Sequence, residues 1–168
     1  VGSQRHRDLD WPTRHAASGC PVGVRDLTVW ICCICVWAPR ALYLVQPLTA
    51  SDFSNEGFRY FRAWAAYFGM VPVTALRLSY VGELGWELYV PIEQGARLWD
   101  VLWEAGRPHS LTACGIGVYG TTGRLEKCYR AYAAELESGY TVVEAGMPRP
   151  TVKEQDVGGK GAQLRPRV

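Results

Sequence analysis

Residues 74–91 read TALRLSYVGELGWELYVP. Leu76, Leu78 and Tyr80 alternate with Arg77 and Ser79, which is the period of a half-buried strand. Gly82-Glu83-Leu84-Gly85 follows, two glycines around a short polar tip. Trp86, Leu88 and Val90 then alternate with Glu87 and Tyr89. The stretch therefore predicts an antiparallel hairpin between residues 73–80 and 85–90, with Gly85 free to take a left-handed backbone at the loop. A four-residue loop sets Tyr80 opposite Glu87. The apolar pattern instead pairs Leu78 with Leu88 and Tyr80 with Trp86, through an odd-length loop or a bulge. The apolar pairing is favoured, because a one-residue slip turns a whole hydrophobic face outward.

On that pairing Glu87 stands mid-strand on the polar face, with Arg77, Ser79 and Tyr89. Packing seldom puts a carboxylate there. One reading makes it a cross-strand partner of Arg77, a pair contributing about 0.2–1 kcal/mol. The other makes it a ligand contact. A carboxylate accepts two parallel hydrogen bonds and so suits a planar heterocycle with a ring N–H beside an exocyclic amine, the edge that a pterin offers.

Outward from the hairpin, residues 29–37 (VWICCICVW) form an uncharged run that predicts a central or covered strand. Residues 8–17 predict a short helix broken at Gly19-Cys20-Pro21. Pro39 opens a second helix through Ala41, Leu42, Leu44 and Val45, ending before Pro47. Thr49 or Ser51 can cap a short helix over 52–56, closed by Gly57. Residues 58–61 read as extended, and 62–68 are ambiguous, since Ala63, Trp64, Ala65 and Ala66 favour helix. Residues 93–105 carry the clearest helical pattern, with Ala96, Leu98, Trp99, Leu102 and Trp103 on the apolar face and Gly106 at the end. Residues 124–137 also read as helix, and the chain beyond Glu144 as loop. Strands and helices are segregated rather than alternating, so the fold class is α+β.

The 168 residues suffice for one hydrophobic core, and 48% hydrophobic with 20% charged residues is a globular balance. A net charge of +2 gives no reason to expect nucleic acid or an anionic membrane as partner. No apolar run approaches the ~20 residues of a spanning helix, and the first residues carry no signal-peptide pattern. The six cysteines, Cys20, Cys32, Cys33, Cys35, Cys114 and Cys128, fit a reducing cytoplasm better than a disulfide framework. Cys32 and Cys35 have C-x-x-C spacing but lie inside the uncharged run, without the turn or the second pair that zinc wants. They read as small buried hydrophobes, with no metal expected. His6, His15 and His109 show no ligand spacing, and GIGVYG at 115–120 has dinucleotide-loop spacing without a preceding strand.

The hairpin SYVGELGWELYVP resembles that of the folate-binding module shared by the glycine cleavage T-protein (aminomethyltransferase), dimethylglycine dehydrogenase and sarcosine dehydrogenase. The resemblance continues in order through LTASDFSNEGF (48–58), GMVPVTALRL (69–78), LWDVLWEAGRPH (98–109), GIGVYGTTGRLEKCYRAYAAELE (115–137) and VEAGM (143–147). The last two are most similar to the dimethylglycine dehydrogenase-like FAD oxidoreductases. The resemblance implies a ferredoxin-like subdomain of a T-protein-type fold, present in part, and a strand over 62–68. The expected division is an N-terminal segment at 1–25, the folate-binding region at 26–147, and a linker at 148–168 toward a C-terminal barrel. It implies transfer of a one-carbon unit from a small amine to tetrahydrofolate, with FAD held by an upstream domain. Glu87 is then the pterin-reading residue, and Tyr80 and Tyr89 are candidates to line its pocket. Arg124, in GRLEK, is a further folate-binding candidate. The arginine that T-proteins place four residues earlier is Gly120 here, so Arg124 also reads as a structural pairing residue. The family's catalytic aspartate falls before Val1 on this alignment, so the chain alone is expected to lack transferase activity. The same resemblance extends to a non-catalytic relative, the regulatory subunit of pyruvate dehydrogenase phosphatase, which acts through protein contacts. An inactive truncated product is a further alternative.

Overall fold

The structure, a computed structural model, describes residues 5–16, 21–137, 139–148, 151–155 and 159–161. The chain divides into a unit Gly2–Tyr129 and a unit Arg130–Val168, to which Val1 is also assigned. The break expected at Gly19-Cys20 and much of the expected 148–168 linker lie outside the described residues.

In the first unit, alternation builds two strands. Val71, Val73 and Ala75 are buried while Pro72 and Thr74 are exposed, giving β3 (Val71–Leu76). Trp86, Leu88 and Val90 are buried around half-buried Glu87 and Tyr89, giving β4 (Gly85–Pro91). The two pair antiparallel, as the sequence predicts, but in another register. Leu88 faces Ala75 and Glu87 faces Leu76, so Leu78 does not meet Leu88 and Tyr80 does not meet Trp86. Both Leu78 and Tyr80 lie past the end of β3. The shift is three residues, an odd number, so the faces of β3 exchange.

Arg77 is the physical reason. It continues the buried alternation of β3 and is 9% exposed. Its guanidinium lies over the Trp86 ring, 5.4 Å from the centroid. Nη1 donates to Phe58 O at 2.5 Å and Ser54 O at 3.3 Å, and Nη2 donates to Asn55 Oδ1. A charge that the sequence assigns to solvent is thus satisfied inside, by carbonyls and an aromatic face. The expected Arg77–Glu87 pair is overturned, because the two residues occupy opposite faces of the sheet.

The sheet is completed by β1 (Ile31–Trp37) and β2 (Ala63–Phe68), in the order β1-β4-β3-β2, every neighbouring pair antiparallel. The strand expected over 62–68 is present. The run at 29–37 becomes an edge strand that starts at Ile31, and not a central one; Cys33 and Cys35 are exposed on its outer face. A run without polar residues leaves no mark of which face is open, so the sequence could not show this.

One face of the sheet is covered by α2 (Ala41–Val45), which buries Ala41, Leu44 and Val45, and by α3 (Gly95–Gly106), which buries Leu98 and Leu102. Each fully buried Leu or Phe contributes about 1.5–3 kcal/mol. Ala96 and Trp99, expected on the apolar face of α3, are exposed. Phe53 sits in this core, its ring centroid 5.1 Å from Phe58 and 5.5 Å from both Phe68 and Trp86. It is placed by a turn rather than by the helix expected over 52–56. Asp52 Oδ1 accepts from Ser54 N at 2.9 Å, and Gln46 Oε1 accepts from Phe53 N at 2.8 Å. Residues 58–61 turn as well, with Phe61 at φ 60°.

Gly85 opens β4 under the end of β1. A Cβ there would stand 2.1 Å from Val36 O and 2.5 Å from Trp37 Cδ1. Backbone cannot yield that distance cheaply, so Gly85→Ala is expected to destabilise by about 2 kcal/mol. A melting temperature lower by about 4–8 °C would register it.

Before these elements α1 (Arg5–His15) forms the first expected helix, with no buried residue; Arg5 pairs with Asp26 at 2.5 Å. After them, the helix expected over 124–137 is reduced to α4 (Arg124–Glu126), preceded by a wide helical turn at Val118–Gly123. Cys128 and Ala133 take positive φ and end helical continuation. In the second unit, Arg130 Nε and Nη2 donate to Ala145 O at 2.7 Å and Gly146 O at 3.0 Å, holding a turn.

Candidate functional site

The sheet face away from α2 and α3 gathers the groups able to do chemistry. Strand parity brings Glu87 and Tyr89 of β4 and Cys33, Cys35 and Trp37 of β1 to it. Cys33 stands opposite Tyr89 and Cys35 opposite Glu87. The Tyr89 hydroxyl donates to Glu87 Oε2 at 2.6 Å. Burial, and then this bond, push the Tyr89 phenol well up, so it stays a donor. Glu87 Oε1 has no hydrogen-bond donor among the described residues, and Oε2 keeps a second lone pair.

Aromatic rings continue from the end of β1. The Tyr119 ring stacks on Trp37 at 5.6 Å and packs against Tyr80 at 4.8 Å. Tyr80 in turn stacks on Tyr129 at 5.9 Å. Trp37 is fixed by its indole N–H, which donates to Leu78 O at 3.3 Å. Burial raises the Tyr119 phenol, with smaller contributions from Tyr80, Glu87 and the two thiols. Beside Tyr129, a shallow cavity of about 310 Å³ is lined by Ser79, Glu83 and Lys127 among others.

Of the residues expected from sequence, Glu87 is held by Tyr89 mid-strand, and Tyr80 packs in the aromatic cluster with Tyr119 and Tyr129. Arg124 is turned inward: Nε donates to Gly120 O at 2.6 Å and Nη1 to Tyr129 O at 3.0 Å. These are contacts to carbonyls of its own loop. Trp37 and Tyr119 were not singled out. Trp37 was hidden by the reading of β1 as covered on both faces, and Tyr119 by its glycine-rich surroundings. No group of three or more metal-ligating side chains occurs among the described residues, and none of their helices is long and apolar enough to cross a membrane.

The family described as the GCVT N-terminal domain matches residues 1–154. The chain belongs to that family. Its similar relatives include human mitochondrial dimethylglycine dehydrogenase, 34% identical over 148 residues, a match covering 87% of this chain and 17% of that protein. An aminomethyltransferase of Shouchella clausii is 33% identical over 141 residues, covering 83% of this chain and 37% of the relative. The chain thus spans well under half the length of either. Among solved structures, the heterotetrameric sarcosine oxidase of Corynebacterium sp. U-96, in complex with pyrrole 2-carboxylate, superposes with a TM-score of 0.54 at 20% identity, covering 64% of this chain and 53% of that one. That likeness is one of fold. This member of the GCVT N-terminal domain family has a four-stranded antiparallel sheet with a helical layer, and Glu87 on the face that the helices leave open.

Proposed function

We propose that the protein serves folate-dependent one-carbon transfer, and that Glu87 reads the pterin edge of tetrahydrofolate on the open face of the sheet. The observation that carries this is a half-buried carboxylate, held mid-strand by the Tyr89 hydroxyl, beside a wall of flat aromatic rings. Such a carboxylate offers acceptors to a donor–donor edge, and Tyr119, Trp37 and Tyr80 offer faces on which a bicyclic ring can lie. The residues present fit the ligand, with Arg124 as a loop clamp that shapes the site's rim. The role of Glu87 is orientation: it fixes the folate nitrogen relative to the one-carbon donor, a gain from proximity rather than from proton transfer.

In the whole protein the donor would be a small amine, in keeping with the names of the relatives. Partners are then small molecules rather than nucleic acid or membrane. The resemblance also implies FAD, and no described residue is assigned to it. The compartment is taken to be the cytoplasm, on the cysteine usage of a chain of this size.

Titration of tetrahydrofolate, followed by quenching of tryptophan fluorescence, tests the reading. Saturable binding is expected, and Tyr119→Ala should weaken it about three- to tenfold, the size of one lost aromatic stack. Absence of binding by a folded protein would favour the alternative of a non-catalytic relative that acts through protein contacts.

A further inference from the structure

Glu87 and Trp37 lie on one face of the sheet. Cys35 stands opposite Glu87 and Trp37 opposite Gly85, so the two are diagonal neighbours across β1 and β4. Such neighbours are about 7–8 Å apart, within reach of aromatic and long side chains. From Trp37 the rings of Tyr119, Tyr80 and Tyr129 follow in contact, at 5.6, 4.8 and 5.9 Å between successive centroids. Tyr129 then lines the cavity of about 310 Å³, with Tyr60, Gly82, Glu83 and Lys127 among its other walls. The carboxylate of Glu87 and the cavity therefore stand at the two ends of one row of rings. Gly82 shapes the cavity. Its φ of 77° would strain a residue with a side chain, and a Cβ there would stand 2.6 Å from Lys127 Cγ and 2.7 Å from Cδ. The Lys127 stem thus lies against the hairpin loop, which limits where its ammonium can go. Among the described residues neither that ammonium nor the Glu83 carboxylate has an ion-pair or hydrogen-bond partner.

We propose that this cavity binds the benzoylglutamate tail of tetrahydrofolate, a site that rests on the folate reading of Glu87 and extends it to the ligand's other end. Lys127 pairs with a tail carboxylate, and Glu83 accepts the N–H of the amide that joins the benzoyl group to glutamate. The benzoyl ring lies against the rings of Tyr129 and Tyr60. An acid and a base in one cavity, each without a partner in the protein, select the ligand class. A bare inorganic anion would meet Glu83 as well as Lys127 and gain little. An N-acyl amino acid carries a donor and a carboxylate a few bonds apart, and answers both. The aromatic row supplies the connection, because a ligand that is read at Glu87 and runs along the rings arrives at Tyr129 with its tail. The cavity is open to solvent, so the Lys127 contact is screened by salt and modest in size.

Two ligands separate the ends of the site: tetrahydrofolate, and a tetrahydropterin with a methyl group in place of the tail. Lys127→Met keeps a stem over Gly82 and removes the charge. It should weaken tetrahydrofolate about three- to fivefold at low ionic strength, the scale of one exposed charge contact, and leave the tailless pterin and the melting temperature unchanged. The loss should shrink when salt is raised from about 0.05 M to about 0.5 M, where screening removes most of an exposed contact. Glu87→Gln, at the other end, should weaken both ligands alike. Lys127→Met that changes neither ligand, or both equally, would overturn the tail site while leaving the reading of Glu87 in place. Glu87→Gln that changes neither ligand, with Lys127→Met still selective for tetrahydrofolate, would remove the role of Glu87 and keep the tail site. A folded wild type that binds neither ligand would overturn both.

Discussion

Replacing Arg77 by Ala is expected to destabilise the first unit by about 3–5 kcal/mol, a large part of the ~5–15 kcal/mol by which such domains are stable. Several effects combine. The guanidinium's bonds to Phe58 O, Ser54 O and Asn55 Oδ1 disappear, and hydrogen bonds to charged groups contribute about 1.5–3 kcal/mol. Phe58 O loses this donor in a buried place, while Ser54 O keeps the Phe58 N–H at 2.9 Å. The Trp86 ring loses its cover, and a void opens next to Phe53 and Phe58. Burial already pulls the Arg77 pKa down, because the guanidinium gives up water to sit there. Arg77→Lys should fall between wild type and Ala, since an ammonium keeps the charge but not the fork. Urea unfolding followed by tryptophan fluorescence should show the Ala midpoint lower by about 1.5–2.5 M. An unchanged midpoint would mean that Arg77 is not a keystone of the core, and would reopen the register.

For Glu87→Gln the expected result is a fall in tetrahydrofolate affinity of at least tenfold, about 1.4 kcal/mol, with the melting temperature unchanged. The substitution keeps the shape and exchanges one acceptor oxygen for a donor. A ligand edge that presents two donors then meets a donor, and a partner left unpaired typically costs about 2–5 kcal/mol. Tyr89 can still donate to the amide oxygen, so the strand should not suffer. Because Arg77 lies on the opposite face, an ion pair between the two cannot confuse the outcome. Calorimetric titration of wild type and variant decides it. Equal affinities, with both proteins folded, would remove Glu87 from the site and leave only the family membership.

What was legible in the sequence follows from what packing decides. β4 was readable, and so was α3, because each carries an alternation or a helical stripe that the core uses directly; β2 was reached only through the family resemblance, since its alanines favour helix. The register of the hairpin was not. Its reading relied on Arg77 being polar and therefore outward, whereas the carbonyls of Ser54 and Phe58, 23 and 19 residues earlier in the chain, make the interior hospitable to it. Residues 124–137 misled for the opposite reason. Alanine, leucine and glutamate favour helix locally, but no apolar stripe is buried there, and packing supplies most helical stability. Positive φ at Cys128 and Ala133 is the outcome. Glu87 was legible as a site candidate because a mid-strand carboxylate has few structural uses. Its true neighbours, Tyr119, Trp37 and the thiols, depended on which face stayed open, and that is a property of the folded sheet.

The sheet's ends carry a practical consequence. Both outer strands, Ile31–Trp37 and Ala63–Phe68, are free of charge and of proline, and each offers a row of unpaired backbone donors and acceptors among the described residues. Nature usually blunts such borders with lysine, proline or a bulge. Segments of six or seven uncharged, β-favouring residues are also those that stack into fibrils. Handled at high concentration, the chain is therefore prone to growth from either border by strand addition. A single lysine in place of Tyr67, outward on β2 and away from the carboxylate face's thiols, is the least intrusive gatekeeper.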